Sequence, residues 1–145
     1  MKKSILTLML LVSVIFCASA RDQWSRDVNT LPQAARTVLA NNFKAKVSVI
    51  KIDKDFGSIS EYEVVLGDGT EITFDSKGNW KDVEVSRGKQ VPAKMFPAGI
   101  TNYVKANHRN AKVVGIERKR GGFEVELSDG TDLKFDTQGR FQRYD

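Results

Sequence analysis

The sequence has few of the residues on which enzymes and metal sites most often depend. Its 145 residues include one cysteine, Cys17, and one histidine, His108. Nucleophilic catalysis needs a nucleophile beside a base such as histidine, and zinc sites draw on several histidine or cysteine ligands. The length allows one compact domain or two small ones. We therefore predict a protein that is not an enzyme and that holds no zinc.

The first twenty residues have the pattern of an export signal. Lys2 and Lys3 give a positive start, residues 5–18 are almost entirely apolar, and residues 18–20 have the small side chains of a signal-peptidase site. The apolar run is shorter than the roughly 20 residues that span a bilayer as a helix. We predict that residues 1–20 are cleaved after export. The product would have no stable membrane insertion and would be periplasmic in a Gram-negative host.

Loss of this leader changes the composition of the chain. Cys17 is removed with it, so a mature chain of 125 residues (145 minus 20) has no cysteine for a disulfide. Its net charge is +3, from 21 basic residues (23 minus Lys2 and Lys3) and 18 acidic residues, which is too small to indicate a polyanionic partner. A basic cluster at residues 118–120 precedes two glycines in a predicted hairpin tip. We therefore predict no nucleic-acid partner.

An internal repeat organises the rest of the chain. Residues 62–80 match residues 123–141 without a gap at a spacing of 61, and nine of the nineteen positions are identical. Shorter matches upstream have a spacing of 66, and we place the difference of five residues in a hairpin loop, where it costs little entropy. We predict an N-terminal segment at residues 21–29, one repeat at residues 30–86 and a second repeat at residues 91–145.

Each repeat begins with a helical pattern and continues with an alternating one. Apolar residues follow a helical spacing after Thr30, a candidate N-cap, and again from Phe96. The alternation that follows has the period of a strand, and Asp-Gly pairs mark tight hairpins. The predicted fold is α+β, with each repeat a helix packed on one face of a four-stranded antiparallel meander. Because a unit of about 60 residues is marginal alone, we expect the repeats to share a core or a continuous sheet.

The alternation predicts one buried and one solvent-exposed face for this sheet. An exposed polar face is either an ordinary hydrated surface or a surface on which a partner docks. Val65 is predicted to be an exposed apolar residue on this face. The predicted partner-binding residues are Glu61, Glu63, Val65, Glu71, Thr73, Glu124, Glu126, Asp132 and Lys134.

Three aromatic residues stand outside this surface. Trp80 and Phe141 occupy matching places in the two repeats and are predicted to pack in the core or at its edge; the alternative is that they anchor a partner. Trp24 precedes the first helix, and we predict that it lies in a loose N-terminal segment.

Calcium is the cofactor that the composition leaves open. It binds through oxygen atoms alone, and turns bring carboxylates close to backbone carbonyls. The spacing of an EF-hand loop is absent, and an aspartate in a turn is also explained by bonds to its own backbone. The weak calcium candidates are Asp68, Asp75, Asp129 and Asp136.

The leader and the repeated motifs of the chain resemble those of the PepSY-like, beta-lactamase-inhibitor-like family of exported bacterial proteins. The resemblance rests on the leader, the Leu31-Pro32 helix start, residues 62–64, the Gly69-Thr70 turn, residues 74–80 and their counterparts in the second repeat. It implies tandem units of a helix against an antiparallel sheet whose polar face is available to a partner. It also implies calcium regulation in some members and no common activity.

Together these patterns favour a non-enzymatic exported module. The leading hypothesis is that it binds an unidentified envelope or extracellular protein through the polar sheet face, as an inhibitor or an envelope sensor. The alternative is a calcium-responsive periplasmic binding protein that uses turn carboxylates.

Overall fold

The computed structural model describes residues 22–145 of the chain. The predicted leader at residues 1–20, including Cys17, lies outside the described residues. Among residues 22–145, the helices are too short or too polar to cross a membrane. The fold is α+β, with two helices and nine antiparallel strands that follow chain order through one open sheet.

The chain divides after Trp80 into two compact units. In chain order the first unit contains β1 (Gln23–Ser25), a 3₁₀ turn (Val28–Thr30), α1 (Gln33–Asn42), β2 (Val47–Asp55), β3 (Ser58–Leu66) and β4 (Glu71–Asp75). The second unit contains most of β5 (Trp80–Glu84), a 3₁₀ turn (Ala93–Met95), α2 (Ala98–Asn107), β6 (Val113–Lys119), β7 (Gly122–Leu127), β8 (Asp132–Phe135) and β9 (Phe141–Tyr144).

The core of the first unit joins one stripe of α1 to one face of its strands. Ala35 and Leu39 are buried one helical turn apart. The buried residues on the core face of the strands are Ile50, Ile52, Tyr62, Val64, Leu66, Ile72 and Phe74. The helix begins after Pro32, and Thr30 does not cap it as predicted. The Thr30 hydroxyl instead donates to the carbonyl of Asp27, which is the N-cap of the preceding 3₁₀ turn.

The core of the second unit is built in the same way. Ile100 and Val104 form the buried stripe of α2. Five buried residues from β7 and β8 face inward: Phe123, Val125, Leu127, Leu133 and Phe135. Phe123 pairs in register with Phe135, and Val125 pairs with Leu133. Cross-strand pairs of this kind are the main stabilising contacts of an antiparallel sheet.

The three aromatic residues considered in the sequence, Trp24, Trp80 and Phe141, lie in different environments. Trp80 is buried, and the Phe141 ring stacks on the Tyr103 ring with centroids 4.3 Å apart. Trp24 lies in β1 opposite Lys51 of β2, so the prediction of a loose N-terminal segment is wrong at this residue. Strand pairing to β2 orders these residues, and the three-residue length of β1 leaves too short a pattern for its sequence to indicate a strand.

Candidate functional site

The polar face of the first unit is assembled by register between three strands. Lys51 of β2 lies opposite Glu63 of β3, which lies opposite Thr73 of β4, and Asp53 lies opposite Glu61. Cross-strand partners share a face, so these side chains project from the same side of the sheet. We call Lys51, Asp53, Glu61, Glu63 and Thr73 the first polar face.

Lys51 is the cation at the centre of this face. Its Nζ atom lies 2.8 Å from Oδ1 of Asp53 and 3.7 Å from Oε2 of Glu63. A third carboxylate, that of Asp22, lies 3.7 Å from the same nitrogen. Burial lowers the pKa of Lys51, but the hydrogen bond with Asp53 and the surrounding negative charges outweigh it and raise the pKa overall. The ammonium group is therefore charged at neutral pH.

Three carboxylates beside Lys51 form what we call the acidic cluster: Asp53, Glu61 and Glu63. One carboxylate oxygen from each lies within 4.8 Å of the others, and all three side chains are partly buried. Burial raises the pKa of both Asp53 and Glu63 despite the nearby ammonium group. Neighbouring carboxylates raise it further, because like charges disfavour ionisation. The alternating pattern indicates Glu61 and Glu63 but not Asp53, which the β2–β3 register brings to them.

Two of the predicted partner-binding residues are not available to a partner. Val65 and Glu71 are 1% and 4% exposed, so the prediction that they lie on a solvated surface is wrong. They oppose each other in the β3–β4 register, and Val65 also lies opposite Val49 of β2. Alternation identifies the face on which a side chain lies, but burial varies along that face.

The second unit places its candidates opposite one another. Glu124 of β7 pairs in register with Lys134 of β8, and Glu126 pairs with Asp132. Lys134 Nζ lies 3.2 Å from Glu124 Oε1, and Lys119 Nζ lies 3.4 Å from Glu124 Oε2. Burial raises the pKa of Glu124, but the bonds and charges of the two lysines outweigh it and lower the pKa. We call Lys119, Glu124, Glu126, Asp132 and Lys134 the second polar face.

The four turn carboxylates accept hydrogen bonds from their own turns. Asp68 Oδ1 accepts from the Thr70 amide, and Asp129 Oδ1 accepts from the Thr131 amide, both at 2.9 Å. Asp75 and Asp136 each accept two backbone N–H groups on Oδ1 at 2.9 Å. The pKa of Asp75 is lowered because these bonds outweigh its partial burial. Each carboxylate is thus accounted for by turn formation.

The tip of the β2–β3 hairpin carries Phe56, which no pattern in the sequence indicates as a site residue. Phe56 is fully solvent-exposed and has a φ of 51°, the one non-glycine residue with positive φ among residues 22–145. Gly57 follows with a φ of 81°, and Ile59, just beyond it, is also exposed. A bulky residue in the left-handed region is rare and energetically unfavourable. Gly57 is a turn signal, but the sequence does not indicate positive φ at Phe56 itself, because Asn or Gly is the usual residue there.

His108 packs in an aromatic group. Its Nε2 atom lies 3.4 Å from the Tyr144 hydroxyl, which lies 3.4 Å from the Tyr103 hydroxyl. The bond to Tyr144, followed by partial desolvation, raises the pKa of Tyr103 to about 12. A tyrosine with this pKa stays protonated at neutral pH and is a poor base or nucleophile. The contacts of His108 therefore indicate packing at the C-terminal end of α2.

The chain is similar to a known family and to solved structures. Residues 60–143 match a family described as "Putative beta-lactamase-inhibitor-like, PepSY-like". A "putative periplasmic protein of unknown function" from Bacteroides vulgatus has 42% identity and a TM-score of 0.78, with 86% of this chain and 98% of that chain covered. A "putative calcium-regulated periplasmic protein" from Bacteroides thetaiotaomicron has 37% identity and a TM-score of 0.77, with 86% and 96% covered. No curated protein matches the chain.

A further "putative periplasmic protein" from Bacteroides vulgatus gives the same result. It has 34% identity and a TM-score of 0.77, with 88% of this chain and 99% of that chain covered. The neighbours share a periplasmic location, which confirms the location predicted for this chain.

Proposed function

Since the chain belongs to the PepSY-like, beta-lactamase-inhibitor-like family of periplasmic proteins, we propose that it is a non-enzymatic module that binds another envelope protein. The binding surface combines the first polar face with the tip of the β2–β3 hairpin. The partner presents an apolar pocket flanked by basic residues. The exposure of Phe56 is the observation that carries this proposal.

Phe56 has the properties of a binding anchor. Aromatic side chains supply much of the energy at protein interfaces when they enter a pocket on the partner. Here the ring is fully exposed in the free protein, and its backbone conformation costs roughly 1–2 kcal/mol relative to a right-handed one. The exposed ring gains no burial energy in the free protein, and residues in unfavourable backbone conformations concentrate at functional sites.

The acidic cluster lies close to this anchor. Asp53 and Glu61 face each other across β2 and β3, and Phe56 follows Asp53 by three positions in the chain. At about 3.3 Å per residue, the cluster lies roughly 10 Å from the tip. Three carboxylates at that distance favour a partner with basic residues around its apolar pocket, because complementary charge steers encounter and sets orientation.

Photocrosslinking tests this surface. A photoreactive phenylalanine analogue replaces Phe56, and in a second protein it replaces Tyr144, an exposed aromatic residue of the second unit. We expect a defined crosslinked protein in the host periplasm from position 56 and not from position 144. Equal crosslinking from both positions would contradict the proposal.

A charge variant provides the matched control. Glu61→Gln with Glu63→Gln removes two charges from the acidic cluster, and we expect it to reduce the yield from position 56 severalfold. Glu124→Gln with Glu126→Gln removes the same charge from the second polar face and is expected to leave that yield unchanged. An equal yield from all three proteins would exclude the acidic cluster from the interface.

The acidic cluster also supports a second candidate function, calcium binding. Calcium takes six to eight oxygen ligands, and the cluster brings three carboxylates within 4.8 Å of one another. The neighbour from Bacteroides thetaiotaomicron is described as calcium-regulated. These carboxylates are better candidates than the turn aspartates, whose oxygens already accept backbone bonds. Lys51 would compete with the ion, because its ammonium group contacts Asp53 and Glu63.

Calorimetric titration separates the two calcium hypotheses. We expect Lys51→Met to tighten calcium binding by roughly tenfold, because it removes a competing positive charge. Asp53→Asn with Glu63→Gln should abolish the signal, whereas Asp75→Asn with Asp136→Asn should preserve it. Loss of binding in the turn variant alone would favour the turn carboxylates. If the unsubstituted protein gives no heat at millimolar calcium, both calcium hypotheses are excluded.

A further inference from the structure

The second unit contains a pocket that lies outside both polar faces. It has a volume of about 350 Å³ and is formed by α2, the segment that precedes α2 and the start of β6. Its apolar wall consists of four buried residues: Val91, Phe96, Val104 and Val113. The volume falls at the lower end of the range for small-molecule sites, about 300–1,000 Å³.

The charged residues at this pocket are all of one sign. Lys105, Arg109 and Lys112 line it, and no aspartate or glutamate among residues 22–145 does so. The Nζ atom of Lys112 lies 3.5 Å from the carbonyl oxygen of Gly88, a long contact with a neutral group. All three side chains are solvent-accessible. The site therefore presents cations to an incoming ligand without a local carboxylate to neutralise them.

The electrostatics of the α2 C-terminus explain only one of these three cations. Lys105 lies in the last turn of α2, where a cation is stabilised by the partial negative charge of the helix end. Arg109 and Lys112 lie beyond the helix, in the connection to β6. Stabilisation of the helix end therefore explains Lys105 but does not explain why Arg109 and Lys112 line the same apolar pocket.

We propose that this pocket binds a small amphiphilic anion. The anionic head, a carboxylate or a phosphate, lies among Lys105, Arg109 and Lys112. The short apolar body packs on Val91, Phe96 and Val104. Burial of the body supplies affinity, and the cations select for negative charge. This inference concerns a separate surface and does not depend on the protein-binding proposal.

Four probes, each with a straight chain of eight carbon atoms in all, test the proposal by calorimetry on the chain comprising residues 21–145. We expect octanoate, octyl phosphate or both to bind with one-to-one stoichiometry and to weaken as salt is added. Octan-1-ol should bind more weakly, and octylammonium should not bind. Binding of octanoate alone would identify a carboxylate head, and binding of octyl phosphate alone would identify a phosphate head.

Variants show whether binding occurs in this pocket. Lys105→Glu with Arg109→Glu should weaken anion binding by about tenfold or more. Lys46→Glu with Lys77→Glu makes the same change of charge at exposed sites of the first unit and should leave affinity unchanged. Ala111→Phe should block binding by filling the pocket without changing its charge.

Three results would overturn the proposal. These are binding of octylammonium as tight as that of the anions, equal losses in the two charge-reversal variants, and no binding of either anion at millimolar concentration. Far-ultraviolet circular dichroism of each variant establishes that the fold is retained, so that lost affinity reports the site.

Discussion

The first and second polar faces carry glutamates at matching places but neutralise them differently. Glu63 and Glu124 are separated by the repeat spacing of 61, and each has a cross-strand partner on the next strand. The partner of Glu63 is Thr73, whereas the partner of Glu124 is Lys134. On the first face Lys51 is shared among three carboxylates, and on the second face Glu124 contacts two lysines.

This difference shows that two residues at matching positions in the sheet can have different electrostatic environments. The two glutamates occupy comparable places, yet the pKa of Glu63 is raised mainly by burial and that of Glu124 is lowered overall by its lysines. On the first face the charged form of Glu63 is therefore disfavoured, and a basic partner or a cation would stabilise it. Around Glu124, the second face satisfies that charge internally.

The hairpins next to these faces differ in their tolerance of a side chain. Gly122 has a φ of 145°, and an added Cβ would overlap the carbonyl oxygen of Phe135 and lie 2.8 Å from the Cα atom of Asp136. Its counterpart in the first unit at the spacing of 61 is Glu61. We expect Gly122→Ala to lower the free energy of unfolding by roughly 3 kcal/mol or more, measured by urea denaturation.

Two variants give this prediction its controls. Gly121→Ala changes the adjacent residue, where an added Cβ meets nothing within 4 Å, and should cost about 1 kcal/mol or less. Glu61→Ala should likewise have a small effect. Equal stability of the Gly121 and Gly122 variants would show that the β7–β8 contact yields to the side chain.

The tip of the first hairpin is expected to gain stability from a substitution. Asn adopts positive φ more readily than Phe, so Phe56→Asn should raise the free energy of unfolding by about 1 kcal/mol. Phe56→Ala removes the ring but keeps an unfavourable residue type for this backbone, and it should give a smaller gain. Thermal and urea denaturation measure both variants. Destabilisation by Phe56→Asn would mean that the ring supports the fold, which would weaken its assignment as a binding anchor.

Sequence patterns predicted the local elements better than the site. Asp-Gly turns and alternating residues indicated β3, β4, β7 and β8, because both signals act over a few neighbouring residues. The acidic cluster depends on the pairing of β2 with β3, whose register shifts between Val47 and Val49 and again between Asp53 and Lys54. A bulge of this kind leaves no distinct mark in the sequence, so Asp53 was missed.

The alternating pattern also could not predict the solvent exposure of individual side chains. The period of two assigned Val65 to the same face as Glu61 and Glu63, but it contains no information about what covers each residue. The exposed ring of Phe56 was missed for a related reason, since hydrophobic side chains are ordinarily interpreted as core. Both errors arise where tertiary contacts, or their absence, override the local pattern.

Exchanging the cross-strand partners of Glu63 and Glu124 should shift the pKa of each glutamate towards that of the other. Thr73→Lys places a cation opposite Glu63, and we expect it to add about 0.5 kcal/mol to the free energy of unfolding and to lower the pKa of Glu63. Lys134→Thr should lose a similar amount and raise the pKa of Glu124. Urea denaturation at low and high salt measures both, because salt screens such pairs. Changes of the same sign in both variants would contradict the comparison.

The two faces should also respond to acid in opposite directions. The folded first unit holds the protons of Asp53 and Glu63 more tightly than the unfolded chain does, because their folded pKa values are raised. Their contribution to stability is therefore complete below the unfolded values of 3.8 and 4.5 and is lost as pH rises through the raised folded values. Glu124 has the opposite sign, and its contribution is present above 4.5 and is lost as pH falls through its lowered folded value.

Nuclear magnetic resonance of the side-chain carboxyl carbons measures this contrast residue by residue. Glu63 should titrate with a midpoint above 4.5, and Glu124 should titrate below it. In Thr73→Lys the midpoint of Glu63 should move towards that of Glu124, since the substitution supplies the missing cross-strand cation. Indistinguishable midpoints in the unsubstituted protein would mean that burial on the first face and the lysines on the second have no net effect. The distinction between a face whose carboxylates share one lysine and a face whose Glu124 contacts two would then fail, and with it the electrostatic basis for docking a basic partner on the first.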